Sequence, residues 1–215
     1  MGYSYGPSIV KNGMVMCLDA GNRKSYPGSG TTCYNLVNSS NNGVLYNITY
    51  NAGGWFDYAS TNNYMYVPSP TYSTVTSFTY NCWVFFTGGS GWRTIFDVAN
   101  DTKALLINNS RLYLYNPTID TGYDIPGGVW FNVAVSHNNG GPAFFYINGN
   151  LIATSGNFAT SPTTGNYGIG GGYISNTQGN EMWTGRIAQV SVYNRGLSLA
   201  EIKQNYDANK GRFGL

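Results

Sequence analysis

Charge is what this 215-residue sequence has least of: Asp, Glu, Lys and Arg make up only 9% of it, against roughly 25% in an ordinary soluble domain. Helices that face water draw on charged and long-chain residues for their outer sides, so a helical fold is excluded by supply. The 11 basic and 9 acidic residues leave a net charge of +2 with no basic stripe, which argues against a nucleic-acid partner. No apolar run approaches the ~18 residues of a membrane span, and the first residues lack the basic and apolar regions of a secretory leader. No membrane partner is expected, and synthesis in a reducing cytoplasm is. Cys17, Cys33 and Cys82 are odd in number, which points away from a disulfide framework, and Cys17 and Cys82 fall inside strand-like runs and read as small buried hydrophobes.

Glutamate and histidine are scarcer still. Glu181 and Glu201 are the only glutamates and His137 the only histidine. Retaining glycoside hydrolysis needs two carboxyls about 5–5.5 Å apart, and the close acidic pairs, Asp97/Asp101 and Asp120/Asp124, fall in turn-like segments. His137 precedes Asn138-Asn139-Gly140-Gly141 and reads as a turn histidine, with no nucleophile motif beside it. The chain is therefore expected not to be an enzyme, and no catalytic residue is assigned.

What is abundant is aromatic and small polar: 19 Tyr, 10 Phe, 5 Trp and 29 Gly. Strand-like runs separated by Gly and Asn turns read at Met14–Asp19, Val44–Tyr50, Trp55–Tyr58, Tyr64–Val67, Phe78–Phe86 and Thr94–Val98. They continue at Ala104–Ile107, Leu112–Tyr115, Val129–Ser136, Phe144–Ile147, Leu151–Ala153, Tyr167–Gly170 and Gly185–Tyr193. Asn148-Gly149 between two apolar runs predicts a tight hairpin. One helix is predicted over about 198–209, with a Ser198/Glu201 capping box, Leu199, Ile202 and Tyr206 on one face, and Gly211 as its stop. The fold class is all-β: a two-sheet antiparallel sandwich over residues 13–210 closed by one short C-terminal helix, with an extended arm at 1–12 and a tail at 211–215.

Four segments, in order, resemble the laminin-G-like branch of the concanavalin A-like lectin/glucanase superfamily. They are Gly13–Asn22, Phe78-Thr79-Tyr80-Asn81-Cys82-Trp83-Val84, Trp130–Val135 followed by Phe145-Tyr146-Ile147-Asn148-Gly149, and Thr184–Ser198 followed by Glu201-Ile202. The resemblance implies a jelly roll. Gly6-Pro7-Ser8-Ile9-Val10 and Lys210-Gly211-Arg212-Phe213-Gly214-Leu215 look like the ends of stand-alone versions of this domain in tailed-bacteriophage virion proteins. That narrower resemblance implies a virion structural protein, a capsid decoration or cement protein or else a fibre component. Its partners would be the major capsid protein, other virion proteins and its own copies as a homo-oligomer, with Tyr3, Tyr5, Arg212 and Phe213 as candidate assembly anchors.

Relatives often place an Asp-Gly-x-x-Asp calcium element before a Tyr strand, and calcium favours such oxygen ligands. Here the stretch is Asp57-Tyr58-Ala59-Ser60-Thr61-Asn62-Asn63-Tyr64, with Gly replaced by Tyr and the second Asp by Asn. Asp57, Asn62, Asn63, Asp97 and Asp101 are the candidate ligands, with turn structure the preferred reading and no cofactor expected. Loop aromatics that could stack on a host glycan are Trp92 beside Arg93, Tyr123, Tyr173 and Trp183. Glycan binding by a lectin-like adhesion module is the alternative function.

Overall fold

The Phe78–Phe86 run forms the middle strand of the molecule, and its alternation sets the two-layer plan. The computed structural model describes residues 7–59, 62–68, 76–98, 103–163, 165–171 and 181–215. In chain order the strands are β1 (Met14–Asp19), β2 (Thr32–Cys33), β3 (Gly43–Tyr46), β4 (Thr49–Asn51), β5 (Trp55–Tyr58), β6 (Tyr64–Val67), β7 (Phe78–Phe86) and β8 (Trp92–Val98). They continue as β9 (Ala104–Asn108), β10 (Arg111–Tyr115), β11 (Ile119–Asp124), β12 (Trp130–His137), β13 (Pro142–Ile147), β14 (Asn150–Asn157), β15 (Tyr167–Ile169) and β16 (Gly185–Tyr193). The first sheet runs β14-β13-β12-β7-β16-β5-β4 with β1 also on β16, and the second runs β11-β10-β9-β8-β15-β6-β3-β2. Every pairing is antiparallel. The predicted all-β sandwich is the observed fold.

Successive strand residues face opposite sides. In β7, Phe78, Tyr80, Cys82, Val84 and Phe86 point inward and join Phe131, Val133 and Val135 of β12 and Val190 and Val192 of β16 in the main core. Tyr80 meets Phe96 of the second sheet at 4.6 Å between centroids, and Phe96 meets Tyr167 edge-on at 5.1 Å. Aromatic contacts of this kind bind the two layers. Cys17 and Cys82 are free and buried, as their runs predict, and Cys33 is free and buried with them. The predicted hairpin joins β13 to β14, with Asn148 and Gly149 at φ of 51° and 74°.

Residues 79, 81, 83 and 85 of β7 take the other side, and much of that outer face is covered too. Helix α1 (Leu199–Asn209) lies there with Ser198 as its cap, followed by a 3-10 turn over Lys210–Phe213. Val10, Ala134, Tyr146, Tyr193, Leu197 and Ile202 form a second, smaller core beneath it. The docking face differs from the predicted one: Leu199 is exposed, and Asn205 is buried in its place. Asn205 closes a buried triangle, accepting from the Val10 N–H at 2.8 Å and donating to the Tyr193 hydroxyl at 3.0 Å, while that hydroxyl donates to the Val10 carbonyl at 3.0 Å. The predicted arm is accordingly tied to the domain from Ser8 onward, where the Gln204 amide reaches the Ser8 carbonyl. Gly211 does not stop the helical path either; Gly214, at φ 75°, does. The predicted tail is thus a continuation of the helix, folded onto the sheet.

Asn205→Ala strips both Val10 and Tyr193 of a buried partner, and urea unfolding should show a loss of about 2–3 kcal/mol; a loss below ~0.5 kcal/mol would place the triangle outside the folding unit.

The cap supplies a pH test. The Arg195 guanidinium, 3.0 Å away, and the Ser198 N–H hold the Glu201 carboxyl at about 2 against an ordinary 4.5. A depressed folded value stabilises fully above pH 4.5 and is lost as pH falls towards 2. Glu201→Gln should lower stability at neutral pH and flatten this acid limb, and parallel pH profiles for the two proteins would refute the assignment.

Candidate functional site

Among the described residues, the predicted glycan-binding side chains do not form one site. Trp92 opens β8 on the outer side of the second sheet, half-buried, with its ring edge-on to Tyr113 at 5.1 Å. Arg93 donates to the Trp92 carbonyl at 2.9 Å. Tyr123, on edge strand β11, packs partly into the main core. Trp183 is the clear correction, because its ring is fully buried against Phe86 at 5.3 Å. The segment before β16 reads as a loop from sequence, yet backbone bonds from Thr94 to Glu181, Trp183 to Gly170 and Thr87 to Thr184 lash it across the end of the sandwich. Tyr173, with Tyr3, Tyr5 and Asp101, lies outside the described residues.

The candidate calcium ligands are also distributed rather than gathered. Asp57 is paired with Arg186 at 3.1 Å. Asn62 adopts φ 77° in a turn, the Asn63 amide donates to the Asn47 carbonyl, and Asp97 is buried within β8. Among the described residues, no group of three or more His, Cys, Asp or Glu side chains could hold a metal ion.

His137 is the buried end of β12 rather than a turn residue, stacked on Phe158 at 4.1 Å, and burial keeps its pKa below the ordinary value. Asp120 and Asp124 share Arg111, at 3.4 and 3.3 Å. The Gly122 N–H, first among several causes, holds Asp120 below the usual carboxylate range. A general acid needs the opposite shift.

The C-terminal anchors turn back onto their own chain. Arg212 pairs with Asp19 at 2.6 Å and donates to the Gly54 carbonyl. Phe213 stacks on the buried Trp83 at 4.2 Å and touches Trp130 at 4.8 Å. They close the domain instead of projecting from it.

That closure stops at a row the sequence reading missed. Register aligns Trp130 of β12 with Phe85 of β7, Phe85 with Arg186 of β16, and Arg186 with Asp57 of β5. All four face outward. Trp55, two residues before Asp57, shares their side, and its ring lies 5.6 Å from Trp130. The Arg186 guanidinium sits over Phe85 at 4.7 Å and Trp55 at 5.2 Å while pairing with Asp57. These side chains are partly buried. Next to them an open hollow is lined by Asp57, Thr87, Gly88, Thr184 and Arg186. One signal was legible: the alternation Trp55-Phe56-Asp57-Tyr58 puts Trp55 and Asp57 on one face. The partners from β7, β12 and β16 emerge only from strand register.

A family model described as the concanavalin A-like lectin/glucanases superfamily matches residues 59–203. The chain belongs to this superfamily. Curated proteins give no match. Among solved structures, Trypanosoma rangeli sialidase in complex with sialic acid aligns with a TM-score of 0.76 and 14% identity over 96% of this chain and 35% of the sialidase. The receptor binding domain of botulinum neurotoxin C/D mosaic serotype aligns with a TM-score of 0.68 and 15% identity, over 92% of this chain and 51% of that one. This superfamily member therefore spans about a third of the sialidase chain and half of the toxin domain, and at such identity the likeness is one of fold.

Trp183→Ala removes a core ring and should cost about 3–5 kcal/mol, whereas Trp92→Ala should cost less than ~1 kcal/mol. Equal losses in chemical denaturation would contradict the opposite placements of these two rings.

Proposed function

We propose that this chain is a non-enzymatic structural protein of a bacteriophage virion, a capsid decoration or cement protein or a component of a fibre, with the major capsid protein and its own copies as partners. The observation that carries this reading is the edge of the second sheet. Its last strand, β2, has only two residues, and around it Tyr34, Leu36, Val37 and Tyr46 are exposed. Tyr46 stacks on Tyr64 at 4.8 Å, forming a flat aromatic surface along β3 and β6. Exposed apolar area of this kind suits contact with protein, and tyrosine is a residue of interfaces. The low charge supports the same reading, since a surface of Tyr, Asn and Gly gains from being covered by neighbours. The resemblance of both chain ends to virion versions of the domain adds to it.

The second reading, a lectin-like module that grips host or cell-surface polysaccharide, is favoured by the partly buried rings around Arg186. The two are compatible in one molecule.

Quantitative mass spectrometry of purified particles from the source tests the first reading. Copies comparable with the most abundant shell protein are expected for a decoration or cement protein, and a few to tens per particle for a fibre component. Absence from particles would overturn the virion reading.

A further inference from the structure

We propose that the outward row Trp55, Asp57, Phe85, Arg186 and Trp130 is the sugar-binding site of this chain, and that its ligand is a neutral polysaccharide. This deepens the glycan reading and rests on it, and it is independent of the virion role.

Sugars present two chemistries at once: apolar C–H faces that lie on aromatic rings, and hydroxyls that both donate and accept. The row supplies both. Trp130 touches Phe213 at 4.8 Å, Phe85 at 5.7 Å and Trp55 at 5.6 Å, with interplanar angles of 45°, 68° and 60°, so the rings form one continuous cluster of inclined faces. Arg186 and Asp57 stand in its midst as a donor and an acceptor, their side chains 36% and 29% exposed. The guanidinium is planar and its stack on two rings fixes its orientation, so the donors are set in place before a ligand arrives. The neighbouring hollow, about 400 Å³ and flanked by Thr87 and Thr184, adds polar groups beside the rings, and its size suits a small ligand unit.

Charge selects the class of sugar. Arg186 and Asp57 cancel each other, and Arg212 at the Phe213 end is cancelled by Asp19. An acidic polysaccharide would find no unpaired cation within the row itself, and a basic peptide no unpaired anion. A neutral chain that exchanges hydrogen bonds without displacing an ion pair complements the row.

The site lies on a sheet face built by four strands, and its rigidity comes from register rather than from loops. Trp83, two residues before Phe85, is roofed by Tyr206 and Phe213. The terminal turn thus walls one end of the cluster, and Arg186 lies over Phe85 and Trp55 at its other end.

The test uses the full chain and a panel of immobilised neutral polysaccharides, a glucan, a galactan, a mannan and a polymer of N-acetylglucosamine, with an acidic polyuronate alongside. Wild-type protein should be retained by at least one neutral member and not by the polyuronate. Trp55→Ala, Trp130→Ala and Arg186→Lys should each weaken retention by about tenfold or more, the scale of one lost stacking contact, with far-ultraviolet dichroism unchanged. Trp92→Ala should retain as wild type. Should Trp130→Ala fail to fold, Arg186→Lys, which keeps the charge and loses only the planar fork, decides. Retention by a neutral polysaccharide that survives all three row substitutions would overturn the site and leave the glycan reading standing. Retention by none of the panel would overturn both. Self-association in sedimentation that Trp130→Ala abolishes would assign the row to a second copy of the chain and overturn the proposal.

Discussion

A sandwich hides one face of each sheet, and the outer face of the first sheet here is too apolar to be left to water. Trp83 stands at its centre, fully buried although it points away from the core. It is buried because the C-terminal turn folds back over it, with Tyr206 at 5.7 Å and Phe213 at 4.2 Å in stacked geometry. The rest of the chain's ends follow from that requirement. Arg212 finds Asp19 and the Gly54 carbonyl because Phe213 is held on Trp83, and a side chain at Gly21 would collide with the Arg212 guanidinium. Val10 finds Asn205 because α1 must lie across β12 and β16. Both chain ends are thus used to cover one face.

Cover of this kind has a limit set by length. Eleven residues of helix and a four-residue turn reach from Leu199 to Phe213, and beyond Phe213 the row of Trp130, Phe85, Arg186 and Trp55 stays partly open. The row combines aromatic rings with a neutralised ion pair on a partly open face. The exposed tyrosine edge around β2 and β3 is a separate surface on the other sheet with no charge pair in it. The two surfaces differ in chemistry: tyrosine and aliphatic side chains on one, aromatic rings around an ion pair on the other.

The sandwich was largely legible because alternation and turn residues are local signals. Met14–Asp19, Trp55–Tyr58, Tyr64–Val67, Phe78–Phe86 and Gly185–Tyr193 form strands with the predicted bounds. Local signals also explain the misses. Val44–Tyr50 reads as one strand, but Asn47 at φ 51° breaks it between two sheets. Ile119–Asp124 carries Asp, Thr and Gly and reads as a turn, yet edge pairing with β10 extends it. Trp183 reads as a loop aromatic because the bonds that bury it come from residues about 13 to 97 positions away. The candidate site was least legible of all. Its residues sit on four strands, and which rows coincide is fixed by register, a tertiary property with no trace in any one segment.

Hydroxyl-radical footprinting of the aromatic side chains, with and without a retained neutral polysaccharide, tests the central claim most directly. The account predicts that ligand shields Trp55, Phe85 and Trp130 from oxidation while Trp92 and Tyr113 on the opposite sheet oxidise as before. Shielding of Trp92 and Tyr113 with Trp55 and Trp130 unchanged would contradict it.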